Sequence, residues 1–188
     1  MLKVRDNYVP NVLRKYTKKY TRTMLTLIRN HKRIILVGKA ASGKDHLRKK
    51  FESRGFNYAV SYTTRPPREG EVDGKDYFFL TDEEATKMVE ANMFYEYVYF
   101  NGWLYGTTVE QFYRDDLFIM TPAGISHIKP EDRLTSFIIY TDIDVETREI
   151  RLKMRYMPGD SLERRIQADE VDFTGFNDYD LRITNADF

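Results

Sequence analysis

Seven consecutive residues, Gly38-Lys39-Ala40-Ala41-Ser42-Gly43-Lys44, have the composition and spacing of a phosphate cradle. Two glycines bracket four residues and a lysine follows the second glycine, so the main chain can wrap until successive N–H groups converge on one anion. A helix starting at the lysine adds its positive N-terminal end, and the Lys44 ammonium reaches the outer phosphates. The next residue is Asp45, where such loops commonly carry a hydroxyl for Mg²⁺. A carboxylate oxygen is also a hard ligand, which makes Asp45 the candidate metal residue.

A second constellation follows, Ser61-Tyr62-Thr63-Thr64-Arg65-Pro66-Pro67-Arg68, running into Glu69-Gly70-Glu71 and then Gly74-Lys75-Asp76-Tyr77. Arg65 and Arg68 flank a stiff Pro-Pro, a spacing that offers two guanidinium forks to one anion, with little entropy lost on binding. A Gly-rich turn or a charged surface loop would explain either segment taken singly. Their occurrence together in one short chain is what points to phosphate chemistry.

The elements that must position these residues follow from the apolar pattern. Ile34-Ile35-Leu36-Val37 is an unbroken apolar run before the loop, as expected of a buried strand in a parallel sheet. Residues 44–54 suit a helix with Leu47 and Phe51 on one face and Gly55 as its stop. Further strands are expected from Ala59-Val60, at Tyr77–Leu80, over 94–107 with a turn, at Leu117–Met120, at Phe137–Tyr140 and at Leu181–Thr184 as an edge. Thr81 with Glu84 predicts a capping box for a helix over 82–91. Asp144 predicts the start of a helix over 145–156, and Asp160 or Ser161 that of one over 161–169. The expected architecture is α/β: a P-loop parallel sheet flanked by helices.

Composition excludes several alternatives. The chain has 188 residues and no cysteine, which removes disulfides, Cys-ligated zinc and a thiol nucleophile. His31, His46 and His127 lack metal-ligand spacing. No apolar run is long enough to span a membrane, and a cytoplasmic location is expected. The net charge of +1 hides an asymmetry, since residues 1–33 carry ten Lys/Arg and one acid, Asp6. Within that arm Leu13, Tyr16, Tyr20, Met24 and Leu27 recur at helical spacing among basic residues. A helix over 11–31 docked on the body is the favoured reading of this 1–33 extension. A nucleic-acid or membrane-surface arm is the alternative.

From about residue 34 onward the chain resembles the guanylate kinase family. The resemblance rests on Gly38–Lys44, on Ser61 with Thr63 through Glu71, and on Gly74–Tyr77. It continues through Phe94-Tyr95-Glu96-Tyr97, Gly102, Leu104-Tyr105-Gly106-Thr107, the stretch Arg151–Arg155, and Arg164-Arg165. It implies ATP contacts at Gly38, Ala40, Ala41, Ser42, Gly43, Lys44, Asp45 and His46, with Mg²⁺ accompanying the ATP. It implies that Arg65, Arg68, Tyr77 and Tyr105 grip the phosphate of an acceptor GMP or dGMP, while Ser61, Glu96 and Thr107 hold the guanine. The resemblance puts acceptor binding in an insert over 61–110. Arg151, Arg155 and Arg165 would belong to a lid over 151–170 and, with Lys44, neutralise the transferring phosphoryl group. The chain departs from the family at Ile119–Gly124, where aspartates are usual and Thr121 is the candidate to offer the base a hydroxyl. The sequence reaches Phe188 before the C-terminal helix that the resemblance leads one to expect, and the 11–31 helix is expected to cover the surface that helix would occupy.

Two other readings compete. A ribose bisphosphokinase-like enzyme would share the loop and Asp45, but Glu96 and the full Arg65, Arg68 and Tyr77 set favour a nucleotide. A non-catalytic guanylate-kinase-like interaction module would need neither an intact Gly38–Lys44 loop nor arginines over it.

Overall fold

The computed structural model describes residues 31–100, 102–154 and 162–187, with 162–165 given by their main chain alone. Strand β1 (Arg33–Gly38) is buried along its whole length and is the middle of the molecule. Its side chains alternate between two cores, as a strand's period of two requires. Ile34 and Leu36 join Leu47, Phe51, Phe137 and Ile139 on one face. Ile35 and Val37 join Phe112, Phe118, Ile125 and Ile138 on the other. Covering both faces is what lets an all-parallel sheet be apolar throughout.

The helix α1 (Lys44–Glu52) follows β1 through the loop and closes the first face with Leu47 and Phe51. Next come β2 (Tyr62–Thr63), β3 (Phe78–Phe79), α2 (Asp82–Glu90), β4 (Phe94–Phe100) and β5 (Trp103–Thr108). These strands form a separate mixed sheet in the order β3-β2-β5-β4, the lobe beside the core. Returning to the core, α3 (Val109–Arg114), β6 (Leu117–Ile119), α4 (Pro122–Ser126), α5 (Pro130–Arg133) and β7 (Ser136–Thr141) follow. Then α6 (Val145–Met154), α7 (Leu162–Asp172) and β8 (Leu181–Ile183) complete the described chain. The core sheet runs β6-β1-β7-β8, parallel throughout, with β8 at one edge.

Most expected elements form where the pattern puts them, including the Thr81–Glu84 capping box of α2. Asp144 accepts the Thr147 N–H at 2.7 Å, as a helix cap should. Three differences have physical causes. The helix after the loop ends at Glu52 rather than 54, because Gly55 turns into the left-handed region with φ 88°. The strand expected from Ala59-Val60 is only a bridge between Tyr58 and Leu117. Its flanking groups go to side chains instead: Asn57 N–H to Asp116 and Val60 C=O to Gln111 Nε2. The helices α3, α4 and α5 are additions to the expected set, each with a local start signal. These are the Thr108–Gln111 capping box, Thr121 before Pro122, and Pro130 at the first turn. Apart from His31, whose ring meets Phe137 edge-on at 5.4 Å, the helix expected over 11–31 lies outside the described residues.

Candidate active site

The phosphate loop leaves the C-terminal end of β1 beside β7, and their contact dictates the first glycine. A Cβ on Gly38 would lie 2.1 Å from Thr141 Oγ1, too close for any side chain. Ser42, fully buried, shares a 2.7 Å hydrogen bond with the same Thr141 hydroxyl and ties the loop's far limb to β7. Gly43 takes φ 95° at the start of α1, and Ala41 takes φ 57°, a conformation L side chains rarely adopt. Lys44 curls back over the loop, its Nζ donating to the carbonyls of Gly38 at 2.5 Å and Lys39 at 3.0 Å. Asp45 opens the first turn of α1 with its carboxylate 68% exposed and Arg48 3.7 Å away. His46 is exposed on the same turn.

Two later helices hold the loop from outside. Arg151 on α6 donates to the Ala41 carbonyl at 3.1 Å and to the Ala186 carbonyl at 2.9 Å. It is therefore seated on the phosphate loop from a core helix. Asp169 on α7 accepts the Ala40 N–H at 2.8 Å, and Lys39 pairs with Glu170 at 2.5 Å. Arg155 and the side chain of Arg165 lie outside the described residues, although the main chain of Arg165 belongs to α7.

On the lobe, Arg65 and Arg68 depart from the open pair expected of their spacing. Arg65 is buried and grips Glu71 with both carboxylate oxygens, at 2.8 and 2.9 Å from Nη2. Glu71 also accepts the Arg68 N–H at 2.7 Å, and the Arg68 guanidinium stands 3.9 Å from it. The reason is that a buried guanidinium needs a counter-charge, and Glu71 is the acid that the Pro-Pro turn brings within reach. Glu71 is the member of the motif whose role its sequence left unread. Tyr77 lies beneath the Arg65 guanidinium, 5.2 Å from ring centroid to carbon, and meets Tyr105 edge-on at 5.9 Å. Burial pushes the Tyr77 hydroxyl up to about 12, and the charges of Asp45, Arg65 and Arg68 all act on it. Arg65, Arg68 and Tyr77 of the lobe and Asp45 at the end of the loop thus share one electrostatic neighbourhood.

Glu96 is the other buried charge of the lobe, 7% exposed. It sits opposite Thr107 in the β4–β5 ladder, and the Thr107 hydroxyl and main-chain N–H hydrogen-bond its carboxylate. Burial outweighs these bonds and pushes Glu96 up to about 7. Its carboxylate faces the first turn of α4. A Cβ on Gly124 would lie 2.8 Å from Glu96 Oε2 and 3.5 Å from Thr121 Oγ1. Thr121 spends a lone pair on capping that helix, accepting the Gly124 N–H at 3.0 Å. Gly124 is thus a second residue passed over in the sequence, where nothing local distinguishes it from a turn glycine. Ser61 stands at the β2–β3 pairing, its carbonyl receiving the Phe78 N–H at 3.0 Å.

Among the described residues no group of three or more His, Asp or Glu is gathered so as to hold a metal by itself. Asp45, exposed and with oxygens to spare, fits as one ligand of an ion completed by phosphate oxygens and water. No helix among the described residues is long and apolar enough to cross a membrane.

Comparison with known proteins bears on the family and on the fold. The profile of the guanylate kinase family matches residues 30–188. The guanylate kinase of Sus scrofa is 33% identical over 165 residues, covering 81% of this chain and 83% of that protein. That of Rickettsia prowazekii is 31% identical over 164 residues, covering 82% and 83%. The crystal structure of guanylate kinase from Anaplasma phagocytophilum superposes with a TM-score of 0.66 at 20% identity, covering 86% of this chain and 80% of that one, and supports the fold. The matched residues span the phosphate loop, the lobe and both helices that hold the loop, and on that extent the chain belongs to the guanylate kinase family.

Proposed function

We propose that the protein transfers the γ-phosphoryl group of ATP to GMP or dGMP in the cytoplasm. Residues 61–110 form the acceptor-binding insert, and residues 151–170 form the lid. The observation that carries the base assignment is Glu96, a buried carboxylate beside Thr107 that faces Thr121 and Gly124. Guanine presents N1–H and N2–H₂ donors on one edge, and an ionised carboxylate accepts from both, whereas adenine lacks this donor pair. Thr121 and Ser61 add hydroxyls around the base, and Arg65, Arg68, Tyr77 and Tyr105 bind the acceptor phosphate, with Glu71 keeping Arg65 in place.

The acceptor oxygen is already ionised, so no general base is required. Catalysis comes from alignment and from charge placed where the transition state carries it. Lys44 turns from the Gly38 and Lys39 carbonyls to the phosphates, while Arg151, the first residue of the lid, acts from the loop's edge and Arg155 and Arg165 act from the rest of it. Mg²⁺, held in part by Asp45, neutralises phosphate charge when bound.

A panel of nucleoside monophosphates with ATP and Mg²⁺, read by ADP release, tests the proposal. GMP or dGMP is the expected best acceptor, with an elevated KM because Thr121 stands where a second acid would accept. Glu96→Gln lowers kcat/KM for GMP severely and for AMP little. Equal losses on both bases would make Glu96 a structural residue. A panel in which ribose bisphosphate outperforms every nucleotide would assign the site to a sugar phosphate instead.

A further inference from the structure

Three consecutive loop residues, Lys39, Ala40 and Ala41, are each held by a charged side chain from α6 or α7. The centre of this arrangement is Arg148, 1% exposed and the largest fully buried side chain among the described residues. Its Nε donates to the Ile143 carbonyl at 3.1 Å, its Nη1 to Asp169 Oδ2 at 3.1 Å and its Nη2 to Glu170 Oε1 at 3.4 Å. The same Oδ2 of Asp169 accepts the Ala40 N–H. A buried arginine is costly unless its hydrogen bonds are satisfied, and each of the three donors used here meets an acceptor. The geometry is that of a brace: Arg148 fixes Asp169, and Asp169 fixes the main chain of the phosphate loop.

The loop needs a brace because of its own composition. Ala41 is held in the left-handed region at φ 57° where a glycine would rest without strain, and its neighbour on the N-terminal side is the residue Asp169 anchors. We propose that Asp169, oriented by Arg148, is a positioning residue that keeps the phosphate loop in its ATP-binding shape. The cradle is then preorganised, and ATP does not have to order it on binding. Asp169 touches no reacting atom in this assignment. It acts through the Ala40 amide, and the effect belongs to ATP affinity rather than to the acceptor. The inference rests on reading Gly38–Lys44 as the ATP loop.

The test separates loop positioning from simple structural support. Asp169→Ala is expected to raise KM for ATP roughly tenfold, as fits the loss of one charge-assisted hydrogen bond. KM for GMP and kcat change far less. Asp169→Asn, which keeps an acceptor for the Ala40 N–H, recovers most of the ATP affinity. Because Asp169→Ala leaves the buried Arg148 with only the longer 3.4 Å contact to Glu170 as counter-charge, the double variant Arg148→Met/Asp169→Ala serves as the control for folding. It carries no orphaned charge and should melt near the parent while KM for ATP stays raised. Adding Ala41→Gly to Asp169→Ala should restore part of the affinity, since glycine holds the turn without the brace. Unchanged KM for ATP in Asp169→Ala, or wild-type KM in the double variant, would overturn the proposal and leave Asp169 as a partner for Arg148 alone. Absence of ATP-dependent turnover in the parent protein would instead defeat the reading of the loop itself.

Discussion

Glu96 is a carboxylate whose two tasks oppose each other. The fold favours its protonated form, having pushed it from 4.5 up to about 7, whereas guanine needs the ionised form. The folded value lies above the unfolded one. Its contribution to stability is therefore full below about pH 4.5 and is lost as pH rises through 7, by about 3 kcal/mol at most. GMP affinity runs the other way and improves as pH rises towards 7, since binding expels the proton. Titration calorimetry near pH 6, in buffers of differing ionisation enthalpy, should therefore show close to one more proton released per GMP in the parent than in Glu96→Gln, the release common to both coming from the GMP phosphate. An equal release in the two would mean that Glu96 is already ionised or does not meet the base. At the phosphate loop, Ala41→Gly should raise stability by about 1 kcal/mol, because it removes a left-handed alanine; a lower melting temperature would contradict this. Lys44→Ala should keep the fold and lose most turnover, and a near-normal rate would defeat the kinase assignment.

At the scale of single elements, α1 and α4 do their work at their first turns. Asp45 stands in the first turn of α1, at the helix's positive end, and is exposed. Asp45→Asn should raise the Mg²⁺ concentration needed for half-maximal rate, and an unchanged requirement would leave Asp45 as a helix-end acid only. The N-terminal turn of α4 is the wall behind Glu96, and its close approach is possible because Gly124 has no side chain. Gly124→Ala should displace the Glu96 carboxylate, raising KM for GMP several-fold with KM for ATP unchanged. Equal increases for both substrates would indicate general disturbance of the fold.

On the scale of the whole molecule, lobe and core meet at Asp132, a buried acid on α5. It accepts from Arg33 of β1 at 3.3 Å, from Tyr95 of β4 at 2.8 Å and from Tyr113 of α3 at 3.0 Å. Tyr95 stacks on Phe112 at 3.6 Å and is the neighbour of Glu96, so this knot sets where the lobe's base-facing residue stands against the core. Asp132→Ala should cost about 3–5 kcal/mol, because Arg33 would remain buried without its counter-charge. Tyr95→Phe removes one bond and keeps the stacking, so it should cost about 1 kcal/mol in a denaturant titration. Reversal of that order would mean the knot's stability lies in the rings.

Local signals in the sequence determined the phosphate loop, the strand before it, the capping box of α2, the core strands and the candidacy of Arg65, whereas that of Glu96 and Tyr77 came from the resemblance to the family. Each depends on neighbours in the chain: an apolar run, a glycine spacing, a cap three residues from its partner. The tertiary structure alone decided what those residues touch. Glu71 closes on Arg65, Gly124 backs Glu96, and Asp169 reaches Ala40 across 129 positions of sequence. A buried charge must find its partner wherever the fold brings one, and the periodicity of a single segment carries no record of that distance.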